Sequence, residues 1–415
     1  MAEPLISTSS AQVSGHRFLK RRVEHALVLG DARMIHDPLG RRQRAALFGF
    51  IAALLLGLGA GALAVLQPAI DPGEAPILRS DSGALFVRVG PTVHPVSNLA
   101  SARLIIGSPA DPVTISDEVL LQEPMGSPIG ILDAPGVFAN HPISDLAWSV
   151  CQESAGDIVV SAKKNHDASA DNEAVLVRQG EEEWLVDAVG RRKLPDPASV
   201  EGRAVRRNLG IDSATPRWQP PEALLNAATE LPAISLPPGV VLHTGDGGYW
   251  LEHEGKIRFL SGVQSAILID AGREERHVSR GYPAQQPDSL EPEIDLPRFA
   301  PRWLDPADND LCFLGEGGLQ KGRKTAEKLG VRLAGDSLAQ RYIGAGVGAI
   351  GIKTGGGLYL ISEWGGVHQV VDQEAAEALG LSEENASSAP WMIIRLLAQG
   401  SALGRSEIPL LEEKD

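Results

Sequence analysis

Between Ala45 and Leu66 the chain runs for 22 residues, AALFGFIAALLLGLGAGALAVL, without a charge, an Asn or a Gln. Wound as a helix at about 1.5 Å per residue, such a run covers roughly 33 Å, enough for a hydrocarbon core of ~30 Å. The triplet Ala62-Leu63-Ala64 has the look of a signal-peptide cleavage site. Signal h-regions, however, run ~7–15 residues behind a short lead, and here 44 residues come first. The run therefore reads as a retained single transmembrane helix over 45–67. Ala53, Gly57 and Gly61 fall four apart on one of its faces, a small-residue stripe against which a second helix could pack closely.

Charge is divided by this span. Residues 1–44 hold eight Lys/Arg and four Asp/Glu, a net of +4, so the remainder carries −19 of the overall −15. Arg41, Arg42 and Arg44 crowd the N-terminal side of the span, and no basic residue follows until Arg79. The positive-inside rule then places 1–44 in the cytoplasm and 68–415 outside the cell membrane. The acidic outer part lacks the basic stripe that nucleic acid requires. Ahead of the span, SGHRFLKRRVEHALVLGD predicts an amphipathic helix capped by Ser14 and stopped by Gly30. Leu19, Val23, Ala26 and Leu27 share a face, and with Phe18 and Arg22 they form a candidate docking surface for membrane lipid or a protein partner.

Beyond a short tether, the outer part shows an internal repeat. LFVRVGPTVHPV (85–96), WLVDAVGRRKLP (184–195), YWLEHEGKIRFL (249–260) and YLISEWGGVHQVV (359–371) each read as two strands around a glycine turn. RRNLGI (206–211) and AEALGL (376–381) add helix ends that stop at Gly210 and Gly380. The expectation is a β-rich α+β region, with small hairpin-and-helix repeats at about 73–110, 172–212, 238–272 and 343–382. A central core including 113–165 and 283–330 would lie among them. Residues 283–310 are too rich in Pro and Asp for a central strand, and PWMIIRLLAQ (390–399) reads as a helix closed by Gly400.

Chemistry is sparse. The two cysteines, Cys151 and Cys312, lie in the outer part, where one bridge or two buried thiols are both compatible with the sequence. No second Cys or His stands at ligand spacing from either, so no metal is expected there. The loop Asp167–Glu173 lacks the glycine and the distant Glu of a calcium loop. His94, His243, His253 and His368 stand singly and receive no role. The stretch GAGVGAIGIKTGGG (344–357) comes nearest to a phosphate loop, but Ile352 intrudes before Lys353 and Thr354. The following residues read as a strand rather than the helix such a loop opens. Lys353 and Thr354 are thus weak nucleotide candidates, and no cofactor is expected.

Several longer stretches resemble one family. QVSGHRFLKRRVEHALVLGDARMIHDPL (12–39), HPVSNLASARLIIG (94–107), SPIGILDAP (127–135), AWSVCQ (147–152), PPEALLNAATELP (220–232) and DLCF (310–313) stand in family order. Together they resemble EccB, the single-span membrane component of the actinobacterial type VII (ESX) secretion system. The resemblance implies an elongated outer part of four repeats around a core stapled by a Cys151–Cys312 disulfide. It also implies self-association and assembly with the EccC ATPase, EccD and EccE near the mycosin protease. ATPase activity has been described for EccB members, yet no nucleotide motif stands here to carry it. A structural secretion subunit is the reading adopted; an ATP-hydrolysing component and a cell-wall-binding anchored module are its rivals.

Overall fold

The computed structural model describes residues 9–33, 38–65, 72–139, 146–163, 166–170, 172–290, 294–315, 317–323, 330–346 and 348–408. The chain divides into two compact units, Met1–Ile70 and Asp71–Asp415.

In the first unit, α1 (Ser10–Leu29) starts earlier than the sequence suggested. Its cap is Ser9, not Ser14. Ser9 and Gln12 satisfy each other's backbone N–H groups in a capping box, whereas Ser14 lies inside the helix and donates to the Ala11 carbonyl at 2.9 Å. Gly30 closes α1 in the left-handed conformation. Helix α2 (Pro38–Val65) contains the apolar run as far as Val65 and is long and apolar enough, over Arg44–Ala62, to cross a membrane.

In the second unit one pattern recurs four times: three antiparallel strands, a helix, and a fourth strand that returns parallel to the first. Repeat one is β1 (Ile77–Ser80), β2 (Leu85–Val89), β3 (Thr92–Val96), α3 (Leu99–Ile106), β4 (Val113–Ile115) and the single turn α4 (Asp117–Leu120). The chain then enters a central sheet through β5 (Ser149–Gln152), β6 (Ile158–Ser161) and β7 (His166–Ala168). Repeat two follows as β8 (Glu173–Gln179), β9 (Glu182–Asp187), β10 (Arg191–Lys193), α5 (Val200–Asn208), β11 (Arg217–Trp218) and α6 (Glu222–Leu225). Repeat three is β12 (Val240–Thr244), β13 (Tyr249–His253), β14 (Lys256–Leu260), α7 (Gly262–Asp270), β15 (Glu275–Val278) and a 3-10 turn at Pro283–Gln285.

The chain then adds β16 (Arg302–Trp303) to repeat two and returns to the central sheet as β17 (Leu311–Phe313), β18 (Leu319–Gly322), β19 (Val331–Arg332) and β20 (Arg341–Ile343). Repeat four is β21 (Ile350–Thr354), β22 (Gly357–Ile361), β23 (Gly366–Gln369), α8 (Gln373–Leu379), β24 (Ser387–Ser388), α9 (Trp391–Ile394) and β25 (Ala398–Gln399).

A short polar side chain starts the longer helix of each repeat. Asn98, Ser199, Ser261 and Asp372 each accept a backbone N–H three residues on. After the one-turn helix, each repeat sends its chain back along its own third strand. The parallel bridges are Val96 with Ile129, Arg191 with Glu230 and Val370 with Leu403; in repeat three Ile257 bridges Asp288. No sequence pattern marks this return or the closing fourth strand: the closing strands are two to four residues long, and the returns make only one to three bridges each, too little for alternation to show. Two further expectations need correction. Val113–Ile115, assigned to the core, is the closing strand of repeat one. PWMIIRLLAQ is not one helix: the Leu396 and Leu397 N–H groups reach back only three residues, and Ala398–Gln399 pairs with β23. Ile393, Ile394, Leu396 and Leu397 are all buried.

The repeats pack as pairs through their helices. α3 meets α8, and the apolar cluster around Leu104, Ile105, Ala376 and Leu379 joins repeats one and four. α5 meets α7, and Leu209, Val205, Ile267 and Leu268 join repeats two and three. The central sheet, in the order β19-β20-β6-β5-β17-β18-β7, shares a third core with repeats two and four. Strand β6 is buried along its whole length, which is why IVVS reads as a continuous rather than an alternating apolar run.

Candidate functional site

The glycine-rich stretch builds a strand and a hairpin. Ala349 exchanges backbone hydrogen bonds with the 137–139 segment, donating to Val137 O at 2.7 Å and accepting from Ala139 N at 2.9 Å. β21 then pairs with β22 through a turn at Gly355 and Gly356. Lys353 donates its Nζ to the Glu383 carbonyl at 2.8 Å, and Thr354 Oγ1 accepts the Gly356 N–H at 3.1 Å. The lysine and hydroxyl of a phosphate site are thus already engaged, and no helix N-terminus follows. The glycines serve close packing instead. A Cβ on Gly348 would lie 2.8 Å from the Phe138 backbone, and one on Gly351 would lie 2.5 Å from Leu381.

Cys151 and Cys312 stand directly opposite each other on β5 and β17, with Cα atoms 3.9 Å apart, and are bonded. Both are buried. Around the bridge, Phe313 packs against Trp218 with ring centroids 5.7 Å apart. Trp218 Nε1 donates to Gln152 Oε1 at 2.8 Å, tying repeat two to the central sheet. A second tie is Glu173, only 2% exposed, which accepts Lys321 Nζ at 2.7 Å and the Ala170 N–H at 3.1 Å and also pairs with Arg302. One carboxylate thus joins β8, β16 and β18. Nothing in the sequence singles it out, since an acid before an apolar run looks like any strand start. Glu183 is held within repeat two by Arg206 at 2.9 Å and Arg217 at 3.1 Å. Burial pushes its carboxyl up, but the hydrogen bonds and charges of the two arginines outweigh that and hold it below the usual glutamate range.

Two histidines without an assigned role prove to be matching structural pieces. His94 of β3 and His368 of β23 are buried, and each places Nδ1 on the carbonyl of a serine 33 residues later, Ser127 and Ser401, at 3.0 and 2.9 Å. Each ring fills the space a side chain would take on the preceding glycine. A Cβ on Gly126 or Gly400 would lie 2.2 Å from the ring. The shared spacing, His followed by Gly-Ser, was present in the sequence but lay beyond the hairpin window. Repeats one and four are further linked by Asp133, which accepts the Ser401 N–H at 2.8 Å. They are also linked by Arg103, which stacks over Phe138 at 4.5 Å and bonds Asp111 at 2.9 Å and the Leu379 carbonyl at 3.5 Å.

In the first unit the candidate docking residues are uncovered. Phe18, Leu19, Val23 and Leu27 are each more than half exposed, and Arg22 is exposed beside them. Ala53, Gly57 and Gly61 are exposed too, and a Cβ on Gly57 or Gly61 would meet nothing within 4 Å.

The model of the family described as "Type VII secretion system ESX-1, transport TM domain B" matches residues 6–255 and 323–413. The chain belongs to the EccB family. An EccB protein is a component of a type VII secretion membrane complex. This one is 28% identical to the ESX-1 secretion system ATPase EccB1 of Mycobacterium tuberculosis, over 98% of this chain and 95% of that protein. It is 29% identical to the ESX-3 secretion system ATPase EccB3 of Mycolicibacterium smegmatis, over 95% of this chain and 89% of that protein. A chain of an intact ESX-5 inner membrane complex shares the fold with a TM-score of 0.67 at 25% identity, covering 100% of this EccB and 97% of that chain. The chain in a structure of an EccB3 dimer from the ESX-3 core complex superposes with a TM-score of 0.66 at 24% identity, covering 80% and 99%.

Proposed function

We propose that this EccB is a bitopic structural subunit, with residues 1–44 in the cytoplasm and 68–415 outside, that holds a secretion complex together without covalent chemistry of its own. In this reading it assembles with the EccC ATPase, EccD and EccE, lies near the mycosin protease, and self-associates through its outer part. The observation that carries it is the uncovered first unit. An exposed apolar row on α1 and an open small-residue stripe on α2 cost free energy unless another protein or lipid covers them. Purification in mild detergent should recover EccC and EccD with the chain, and Leu19→Glu with Val23→Glu should release them. Recovery of neither from the unsubstituted chain would sink the proposal. Reporter fusions on either side of α2 test the orientation; a periplasmic signal from residue 33 would reverse it.

A second reading, ATP hydrolysis, rests on the relatives being named secretion system ATPases. Against it stand the engaged Lys353 and Thr354. Turnover by the full chain, purified free of EccC, that falls on Lys353→Ala would establish the hydrolase.

A further inference from the structure

We propose that repeat three carries a binding site for a divalent transition metal of the zinc class, built from His243, Glu275 and His277. The sequence points to no metal, since His243 stands singly there and Glu275 and His277 lie on a separate strand. The fold brings them together: β12 and β15 run parallel, with His243 opposite His277 and Val241 opposite Glu275. In a strand pair of this register the three side chains project from one face. Their ligand atoms all lie within 4.8 Å of one another.

The distances favour an ion over a plain polar contact. His243 Nδ1 and Glu275 Oε1 are 3.6 Å apart, too far for a hydrogen bond. That separation is close to the edge of a ligand tetrahedron, which is about 3.4 Å for bonds of ~2.1 Å to zinc. The same Nδ1 is sealed from solvent and has no hydrogen-bond partner, a costly state for a ring nitrogen. A cation between nitrogen and carboxylate would remove that cost. The His243 ring is already oriented, stacked on Tyr249 at 4.5 Å and 9°, and the His277 ring is 4.9 Å away. Glu275 and His277 are exposed, so an ion has a way in.

Two imidazoles and one carboxylate select zinc-like ions rather than calcium or magnesium, which take oxygen ligands. Three protein ligands leave a fourth position for water or for a group from a neighbouring molecule. The site is particular to this repeat. The corresponding pairs in repeats one and four are Arg79 with Thr114 and Lys353 with Ser388, and the matching first-strand residue of repeat two is Arg178, with no histidine among them. Glu275 and His277 also fall in the stretch that the family model leaves unmatched. A bound ion would clamp the edge strand β15 onto β12.

The test uses the full chain in detergent, purified without a polyhistidine tag, stripped by chelator and dialysed against Zn²⁺ or Co²⁺. One ion per chain is expected, with the visible absorption of low-coordinate Co²⁺ and a higher unfolding temperature in Zn²⁺. His277→Ala and Glu275→Gln alter exposed side chains. Each should weaken binding by more than the ~10-fold that losing even an outer-shell partner costs, and each should abolish the thermal shift. Sub-stoichiometric uptake by the unsubstituted chain, or equal uptake by the double variant, would overturn the site.

Discussion

Breaking the Cys151–Cys312 bridge should cost this EccB a large share of its outer unit's stability. The cross-link joins residues 161 apart. On the chain-entropy model, closing a loop of that length removes about 17 cal/mol/K from the unfolded ensemble, or ~5 kcal/mol at 25 °C. The loop encloses repeats two and three, whose shared core could outlast the central sheet. If those repeats stayed folded, the free loop would shrink to roughly 55 residues, and the estimate would fall only to ~4 kcal/mol because the dependence is logarithmic. The assay is urea unfolding of the full chain in detergent, followed by Trp fluorescence. Three samples should be compared: oxidised protein, reduced protein, and Cys151→Ala with Cys312→Ala. For an m-value of ~3 kcal/mol/M, the oxidised midpoint should lie more than 1 M above the reduced one. The double variant should fall slightly lower still, since both sulfurs are buried. Oxidised and reduced midpoints within about 0.3 M of each other would refute the reasoning, because the bridge would then restrict nothing that the fold does not already hold.

Gly126→Ala and Gly400→Ala should each destabilise by about 1–3 kcal/mol through overpacking against His94 and His368; pairing either with the matching His→Ala should recover part of the lost thermal midpoint. Glu173→Ala removes a buried carboxylate that Lys321 and Arg302 share; both cations keep access to water, so the cost should be ~1–3 kcal/mol in the same measurement. Glu183, with its folded pKa below the ordinary 4.5, contributes stability that is fully present above that value and is lost as pH falls through the folded one. Glu183→Gln should therefore flatten the acid limb of a stability-against-pH curve below about pH 4.5 and remove stability at neutral pH. Lys353→Ala breaks one exposed hydrogen bond and should shift stability by less than ~1 kcal/mol.

The hairpins were legible because their alternation and glycine turns are local signals. β13 and β14 turn through Glu254 and Gly255, both at positive φ, and Glu-Gly between apolar runs announces such a turn. The helix stops at Gly210 and Gly380 were legible for the same reason. What escaped was everything decided by partners distant in sequence. Strands β11 and β24 are two residues each and exist because the first strand of their repeat offers an open edge. Ser9 displaced Ser14 as a cap because the reciprocal bond with Gln12 outweighs a lone hydroxyl. The candidate nucleotide loop failed for a reason that was visible, the strand after Lys353, but its replacement partner, the Glu383 carbonyl, was not.

The pairing of repeats also orders the way the outer unit folds. Repeat one is made first, yet the face of α3 is covered by α8, and the Arg103 side chain finds the Leu379 carbonyl 276 residues later. Repeats two and three, by contrast, are neighbours in sequence and close on each other through α5 and α7, where Arg207 meets Asp270 63 residues on. Contacts of long separation bear a larger chain-entropy cost before they return any stability. The middle pair should therefore acquire structure first, with repeats one and four last and together. Pulsed hydrogen exchange during refolding reads this directly: amides of β8, β9, β12 and β13 should gain protection before those of β1, β2, β21 and β22. Protection of repeat one ahead of repeat four would contradict the account, since it would mean that α3 holds its strands without the helix that buries it.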